Sequence, residues 1–270
     1  MIEELFYIEK QTYRSSIIHR LDARVKLLLV FAVIIAVVAF PFNQGVYFFG
    51  GMLFFLVAIL WGLSGISPVI YFKRLILLLS FWLFLIVFQI FLQNQYYAVF
   101  HPILDLPLGI HVYAESVEFA SFLLIKFLVS VSFIILLSST TRIQDLLEGA
   151  GRLGLPAEFA LALGMMVRYL FVFGYMFRKI TQALETRCFD PFDRTLEYRY
   201  RLSQVGYTVG TLFIRSYEQG ERTYTSMLCR GYGKDSHIFL EKKPLRSGDW
   251  AFLAGTMLYT AGGALAVLIF

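Results

Sequence analysis

A chain of 270 residues that is 58% hydrophobic and only 16% charged is too apolar for a water-soluble globular protein, which is roughly half apolar and a quarter charged. Its mean hydropathy of +0.68 belongs to a polytopic membrane protein. The net charge of +5 suits a basic membrane face, and no nucleic-acid partner is expected, because no basic run interleaved with aromatics sits in a soluble module.

Met1–Arg24 is polar and mixed in charge, and predicts a cytoplasmic lead-in at the membrane surface. It does not read as a cleaved signal: the apolar run begins only near Val25, after Arg14, Arg20 and Arg24, with no small-residue cleavage site. Four apolar stretches then predict spans at Val25–Phe40, Val46–Leu63, Leu75–Leu92 and Val117–Ser138, and a fifth at Trp250–Phe270. Each is close to the roughly 20 residues that cross a bilayer core. The first is short, with Lys26 able to snorkel at its edge. Pro41-Phe42-Asn43 predicts a tight hairpin after it.

Lysine and arginine orient the chain. With the N-terminus inside, Met1–Arg24 with Lys26, Ser64–Arg74 and Ser139–Asp249 hold all but one of the 24 Lys and Arg residues. The outer segments Pro41–Gly45 and Gln93–Ser116 hold none. The remaining one, Lys126, lies inside the fourth span. The expectation is an all-α multi-pass protein of the cytoplasmic membrane with about five spans, N-terminus in and C-terminus out. Its parts are a lead-in over 1–24, a four-span bundle over 25–138, cytoplasmic or interfacial coupling helices over 139–249, and a final span over 250–270.

In the long inner segment, Thr141 and Gln144 have capping-box spacing, opening a helix that runs to about Leu153. Gly154-Leu155-Pro156 ends it, and Pro156 suits the first turn of a second helix reaching Arg187, about 48 Å long at 1.5 Å per residue. Asp190-Pro191-Phe192-Asp193 is a turn. A third helix starts near Leu196 or Leu202 and reaches Arg230, where Gly231 and Gly233 stop it. Ala157–Met176 has only Glu158 and Arg168 as charges and competes as a sixth crossing, with a return near Leu202–Ser216. That hairpin would put Arg178, Lys179, Arg187, Arg194, Arg199 and Arg201 outside, against the positive-inside pattern. The helix is therefore expected to be buried or interfacial, under the bundle.

Enzyme motifs are absent from the sequence: no GxxxxGK[ST] phosphate loop, no HExxH and no GxSxG. Cys188 and Cys229 cannot make a disulfide framework and have no CxxC spacing, so free thiols are expected. His101, Asp105, His111 and Glu115 share one outer loop and are acceptable ligands for a divalent metal, although a solvated loop is the simpler account of them. Lys126 either lines a working interface or is tied to a polar neighbour such as Gln89.

Two arginine motifs stand apart, Thr186-Arg187-Cys188 and Cys229-Arg230-Gly231. One arginine at a helix end is ordinarily a partner of the helix dipole. Here two follow long helices, each between small or polar residues, each with an aromatic two positions on, Phe189 and Tyr232. Their spacing fits a helix, turn and helix presenting both tips on one face to a two-fold partner. Arginine suits such a tip because its planar fork grips a carboxylate bidentately and stays charged on desolvation.

The stretch "VGTLFIRSYEQGERTYTSMLCRGYG", within Leu202–Gly233, resembles the transmembrane T component of energy-coupling-factor transporters, most of all its cobalt-type CbiQ group. "HRLDARVKLL" at His19–Leu28 resembles the family's N-terminal signature, with Ala23 where proline is usual. "GRLGLPAEFALALGMMVRYLF" at Gly151–Phe171 also fits. Each family motif tends to read small-Arg-Gly; the second motif follows that, and the first has Cys188 in the glycine place. The resemblance implies a subunit with no catalysis and no cofactor of its own. Arg187 and Arg230 would dock in two ATPase subunits, while the bundle grips a membrane-embedded substrate-binding subunit that chooses the cargo, cobalt or nickel before a vitamin. A self-contained secondary carrier would need an intramembrane site on broken helices, with Lys126 its one intramembrane charge. A membrane enzyme would need a polar cluster in the inner segment, beyond arginines and scattered carboxylates.

Overall fold

The computed structural model describes residues 16, 18–90, 102–106, 110–193, 195–233 and 245–269. The helices are α1 (Ala23–Ala39), α2 (Gly45–Ser64), α3 (Pro68–Ile90), α4 (Ala114–Thr140), α5 (Ile143–Arg152), α6 (Ala157–Glu185), α7 (Tyr198–Cys229) and α8 (Ser247–Ile269). The protein is an all-α polytopic membrane protein, as its composition predicts. A small antiparallel hairpin, β1 (Pro102–Leu106) and β2 (Ile110–Tyr113), precedes α4.

Five helical stretches are long and apolar enough to cross a bilayer: Gly45–Ser64, Pro68–Gln89, Ala114–Thr140, Glu158–Glu185 and Ser247–Val267. The number equals the expected one, but the membership differs. The first expected span forms α1 of 17 residues, at the lower end of the crossing range. The stretch expected to lie under the bundle, in α6, qualifies by length and composition. Lys73 and Arg74, expected in a loop, lie inside the first turns of α3, because the helix already begins at Pro68.

The chain divides into two compact units, one of residues 3–153 with 243–270, the other of 154–242. In the first unit α4 is central, packing on α1, α2 and α3; α8 packs on α1 and α2, and α5 on α1. Phe122 and Phe133 of α4 and Leu53 of α2 are fully buried. Helices in lipid gain little from hydrophobic exclusion, so small residues that let backbones approach matter more. Gly50 of α2 is such a residue, since a Cβ there would overlap Ile125 of α4.

Asp22 caps α1, its carboxylate accepting from the Arg24 backbone N–H at 2.9 Å and from the Arg24 guanidinium at 2.8 Å. That hydrogen-bonded guanidinium holds the Asp22 carboxyl below the ordinary carboxylate range. Asp249, buried in the first turn of α8, accepts from the backbone N–H of Asp22 at 3.4 Å and of Arg246 at 3.0 Å, joining the start of α1 to the start of α8.

Two buried lysines tie α1 to α4 reciprocally. Lys26 of α1 donates to the Thr140 carbonyl at 3.1 Å and to Thr141 Oγ1 at 3.2 Å, where α4 ends. Lys126 of α4 donates to the carbonyls of Phe40 at 2.5 Å and Val38 at 3.3 Å, where α1 ends. Its Nζ also lies 4.0 Å from the centre of the Phe42 ring. A helix C-terminus carries unpaired carbonyls and a partial negative charge, so a cation placed there answers both. Of the two readings of Lys126, the tie to polar neighbours is the one seen, with backbone carbonyls and not Gln89 as the acceptors. The expected capping box at Thr141 does not form either: Thr141 follows the last residue of α4, and α5 starts after Arg142 with no side-chain cap.

In the second unit α6 and α7 run antiparallel across the turn at Asp190–Asp193. The Asp190 carboxylate accepts from the Phe192 N–H at 2.9 Å, and the Asp193 carboxylate from the Thr195 N–H at 2.9 Å. Midway along α6, Tyr169 meets Thr223 of α7 at 2.5 Å between hydroxyl oxygens. Thr223 donates its own proton to the Gln219 carbonyl, which leaves Tyr169 as the donor between the helices. Among the described residues α7 has none that is buried.

Candidate functional site

Both arginine motifs sit where the sequence predicts, at the ends of the two longest helices, and both end in the same backbone motif. After α6, the Cys188 N–H donates to the Glu185 carbonyl at 2.9 Å and the Phe189 N–H to the Leu184 carbonyl at 3.1 Å. After α7, the Gly231 N–H donates to the Leu228 carbonyl at 2.9 Å and the Tyr232 N–H to the Met227 carbonyl at 3.0 Å. These are the paired bonds of a Schellman cap, which requires a left-handed residue just past the helix. That residue is Cys188 at φ 57° in the first tip and Gly231 at φ 83° in the second. Arg187 and Arg230 therefore hold the same cap position, one residue before the left-handed turn.

The caps explain the neighbouring residues. The aromatic two positions past each arginine supplies the N–H that closes the cap. Its side chain falls where a hydrophobic contact with the last turn is usual. Phe189 is buried, and its ring meets Tyr200 of α7 edge-on at 6.2 Å between centroids. Tyr232 is half-buried. Thr186 is exposed, its hydroxyl donating to the Ala183 carbonyl at 2.9 Å. Arg187, Arg230, Cys188 and Cys229 are all exposed, and both thiols are free. The cap geometry has one sequence signal, the glycine after Arg230; the cysteine after Arg187 hides its counterpart.

The tips stand at opposite ends of the antiparallel pair rather than side by side. Arg230 lines a cleft with Leu161 near the start of α6. Arg187 lies about 39 Å further along that helix, at roughly 1.5 Å per residue. The surroundings differ too. Near the first tip a largely apolar cleft of about 650 Å³ is lined by Phe177, Leu184, Phe189, Phe192 and Leu202, with Glu185, Asp190 and Arg201 at its polar points. Near the second, a cleft of about 460 Å³ is lined by Arg168, Tyr169, Gln219, Arg222, Thr223 and Arg230 among others.

The outer-loop metal constellation is not assembled among the described residues, where no three His, Cys, Asp or Glu side chains gather. His101 lies outside those residues. Asp105 and His111 are cross-strand partners in the backbone register of the hairpin, and Glu115 is in the first turn of α4.

Compared with known families, residues 14–239 match the cobalt transport protein family, CbiQ, a span that takes in both arginine tips. The chain belongs to the CbiQ family. A CbiQ chain is a membrane component of a cobalt transporter and works as part of a complex. The chain is also similar to an uncharacterized protein of Methanocaldococcus jannaschii, 24% identical over 263 residues, covering 96% of this chain and 86% of that one.

Proposed function

We propose that this CbiQ-family chain is the non-catalytic T component of an energy-coupling-factor importer for cobalt or nickel. Arg187 and Arg230, with Thr186, Cys188, Phe189, Cys229, Gly231 and Tyr232 forming their tips, dock into two ATPase subunits. ATP binding draws the ATPases together, the two helices move, and a membrane-embedded substrate-binding subunit is reoriented. The observation that carries this reading is the congruence of the tips: two Schellman caps present two exposed arginines at equivalent positions, about 39 Å apart along α6 by its rise of 1.5 Å per residue. A repeated tip with wide separation fits two copies of one partner groove.

The same reading puts the N-terminus and the second unit in the cytoplasm, as the distribution of lysine and arginine favours. The long inner region over 139–249 then carries the coupling helices. Arg168 and Arg222 lie inside α6 and α7, and a crossing by those helices would carry both toward hydrocarbon, where an arginine at a helix centre costs roughly 2.5–3.5 kcal/mol. The exposed apolar residues Phe213 and Ile214 of α7, beyond the first-tip cleft, suit contact with a membrane-embedded subunit or the bilayer edge.

The test is charge reversal. Arg187→Glu with Arg230→Glu is expected to abolish co-purification with the ATPase and metal uptake, while the chain still inserts. Truncating one partner of a buried ion pair costs roughly 3–5 kcal/mol, so each reversal alone is expected to weaken docking by at least a hundredfold. Unchanged co-purification of the doubly reversed protein would sink the proposal.

A further inference from the structure

The two tips share a backbone motif but not a chemical environment. The cleft beside Arg230 is also lined by Arg168 from α6 and Arg222 from α7, and no carboxylate lines it. All three arginines are exposed. Glu218 stands 3.9 Å from Arg222, one turn back on the same helix, a loose contact between two exposed side chains. Among the described residues no carboxylate pairs with Arg168 or Arg230. The cleft beside the first tip, by contrast, is mostly aromatic and aliphatic and holds acids as well as Arg201.

We propose that Arg168 and Arg222 join Arg230 in a three-arginine cradle for an acidic segment of the partner ATPase, so that the second tip docks electrostatically and the first mainly through apolar contact. This rests on the docking reading above. A segment that reaches Arg230 through this cleft passes the other two arginines, which come from two different helices and surround it with forks. Three positive charges with no acid among them attract more than one carboxylate. The cleft's concave volume of about 460 Å³ suits a few side chains rather than a flat lipid surface. Tyr169 and Thr223, bonded at 2.5 Å, tie the two walls together.

The experiment separates the tips. In full-length protein, Arg187→Glu sets an unpaired carboxylate against the apolar groove that takes the first tip and leaves docking chiefly to the second, and Arg230→Glu leaves it chiefly to the first. Binding to the purified ATPase component of the same transporter is measured for both across a salt series. The Arg187→Glu protein is expected to lose affinity steeply with salt, because exposed charge pairs are screened. The Arg230→Glu protein is expected to respond weakly. Adding Arg168→Gln and Arg222→Gln to Arg187→Glu is expected to lower affinity about threefold to fivefold for each arginine and flatten the salt slope. The corresponding lysine substitutions retain the charge and are expected to restore the slope. Three results overturn the cradle. One is equal salt slopes for the two single reversals. Another is glutamine variants that bind ATPase unchanged while Arg230→Glu still abolishes second-tip docking, which leaves the docking reading intact. The third is glutamine variants that keep ATPase binding but lose binding to vesicles of anionic phospholipid, which assigns the cleft to a headgroup. If reversing Arg187 and Arg230 together leaves docking unchanged, the docking reading itself has failed.

Discussion

Cys188, at φ 57°, stands in the left-handed cap position that Gly231, at φ 83°, holds in the other tip. A side chain costs roughly 1–2 kcal/mol in that conformation, and glycine costs nothing sterically. The first tip therefore carries strain that the second lacks. Cys188→Gly is expected to stabilise the first tip by about 1 kcal/mol, part of the steric gain being offset by glycine's larger unfolded-state entropy. Slower amide exchange at Phe189, whose N–H closes the cap, is the readout. Cys188→Val is expected to speed that exchange. Unchanged protection in both variants would show that the tip is held by something other than its cap.

The lysine of α4 makes a second prediction. Hydrogen bonds from a charged donor contribute about 1.5–3 kcal/mol, and Lys126 makes two to carbonyls that end α1. Lys126→Met leaves those carbonyls without their donor, so a loss of about 2–3 kcal/mol is expected in detergent unfolding. Lys126→Arg keeps the donors and is expected to lose less. Equal stabilities of the methionine variant and the parent would mean that the bonds contribute nothing net.

Close approach of α2 and α4 gives a third. A methyl group at Gly50 would overlap Ile125, a branched side chain with little freedom to turn aside. Gly50→Ala is expected to destabilise by about 1–3 kcal/mol, as overpacked cores do. Gly51 has open space at the same height and serves as the control: Gly51→Ala is expected to be neutral or slightly stabilising in a thermal melt.

The cap of α1 sets a pH dependence. Asp22 has its folded pKa below the ordinary carboxylate range, chiefly because of the side-chain hydrogen bond from Arg24. A lowered carboxylate contributes stability that is present above its unfolded pKa and is lost as the pH falls through the folded value. The expected loss therefore lies below about pH 4 and is absent at neutrality. Asp22→Asn keeps an N-cap acceptor but no charge. It is expected to cost about 0.5–1 kcal/mol at neutral pH and to reduce the acid-induced loss. An unchanged acid limb in stability against pH would assign that loss to other carboxylates.

Much of this architecture is legible in the residues. Hydrophobic runs mark α2, α3, α4 and α8, and Gly154-Leu155-Pro156 and Asp190–Asp193 mark the breaks around α6. The arginine motifs are visible because two similar tripeptides end two long helices. Other features depend on tertiary partners that lie far off in sequence. The Thr141 hydroxyl reads as a local cap, yet it serves Lys26, 115 residues away. The Lys126 partners are backbone carbonyls, which leave no trace in side-chain composition. Cys188 lacks the glycine signal of its own conformation. Arg168, read as one of two charges in an apolar stretch, meets Arg222 and Arg230 only when α7 folds back along α6.

The reciprocal lysine caps also bear on how the protein is made. At 17 residues α1 is at the lower end of the crossing range, and it emerges from the ribosome 86 residues before the lysine that binds the Phe40 carbonyl. Until then its last carbonyls and the Lys26 ammonium have no partners from α4 and are met only by water and headgroups at the two membrane edges. The lysine bonds that hold α1 therefore form only with α4, and the two are expected to leave the translocon as a pair. A chain truncated before Ala114 is expected to hold its first helix more loosely in the bilayer than the whole chain does.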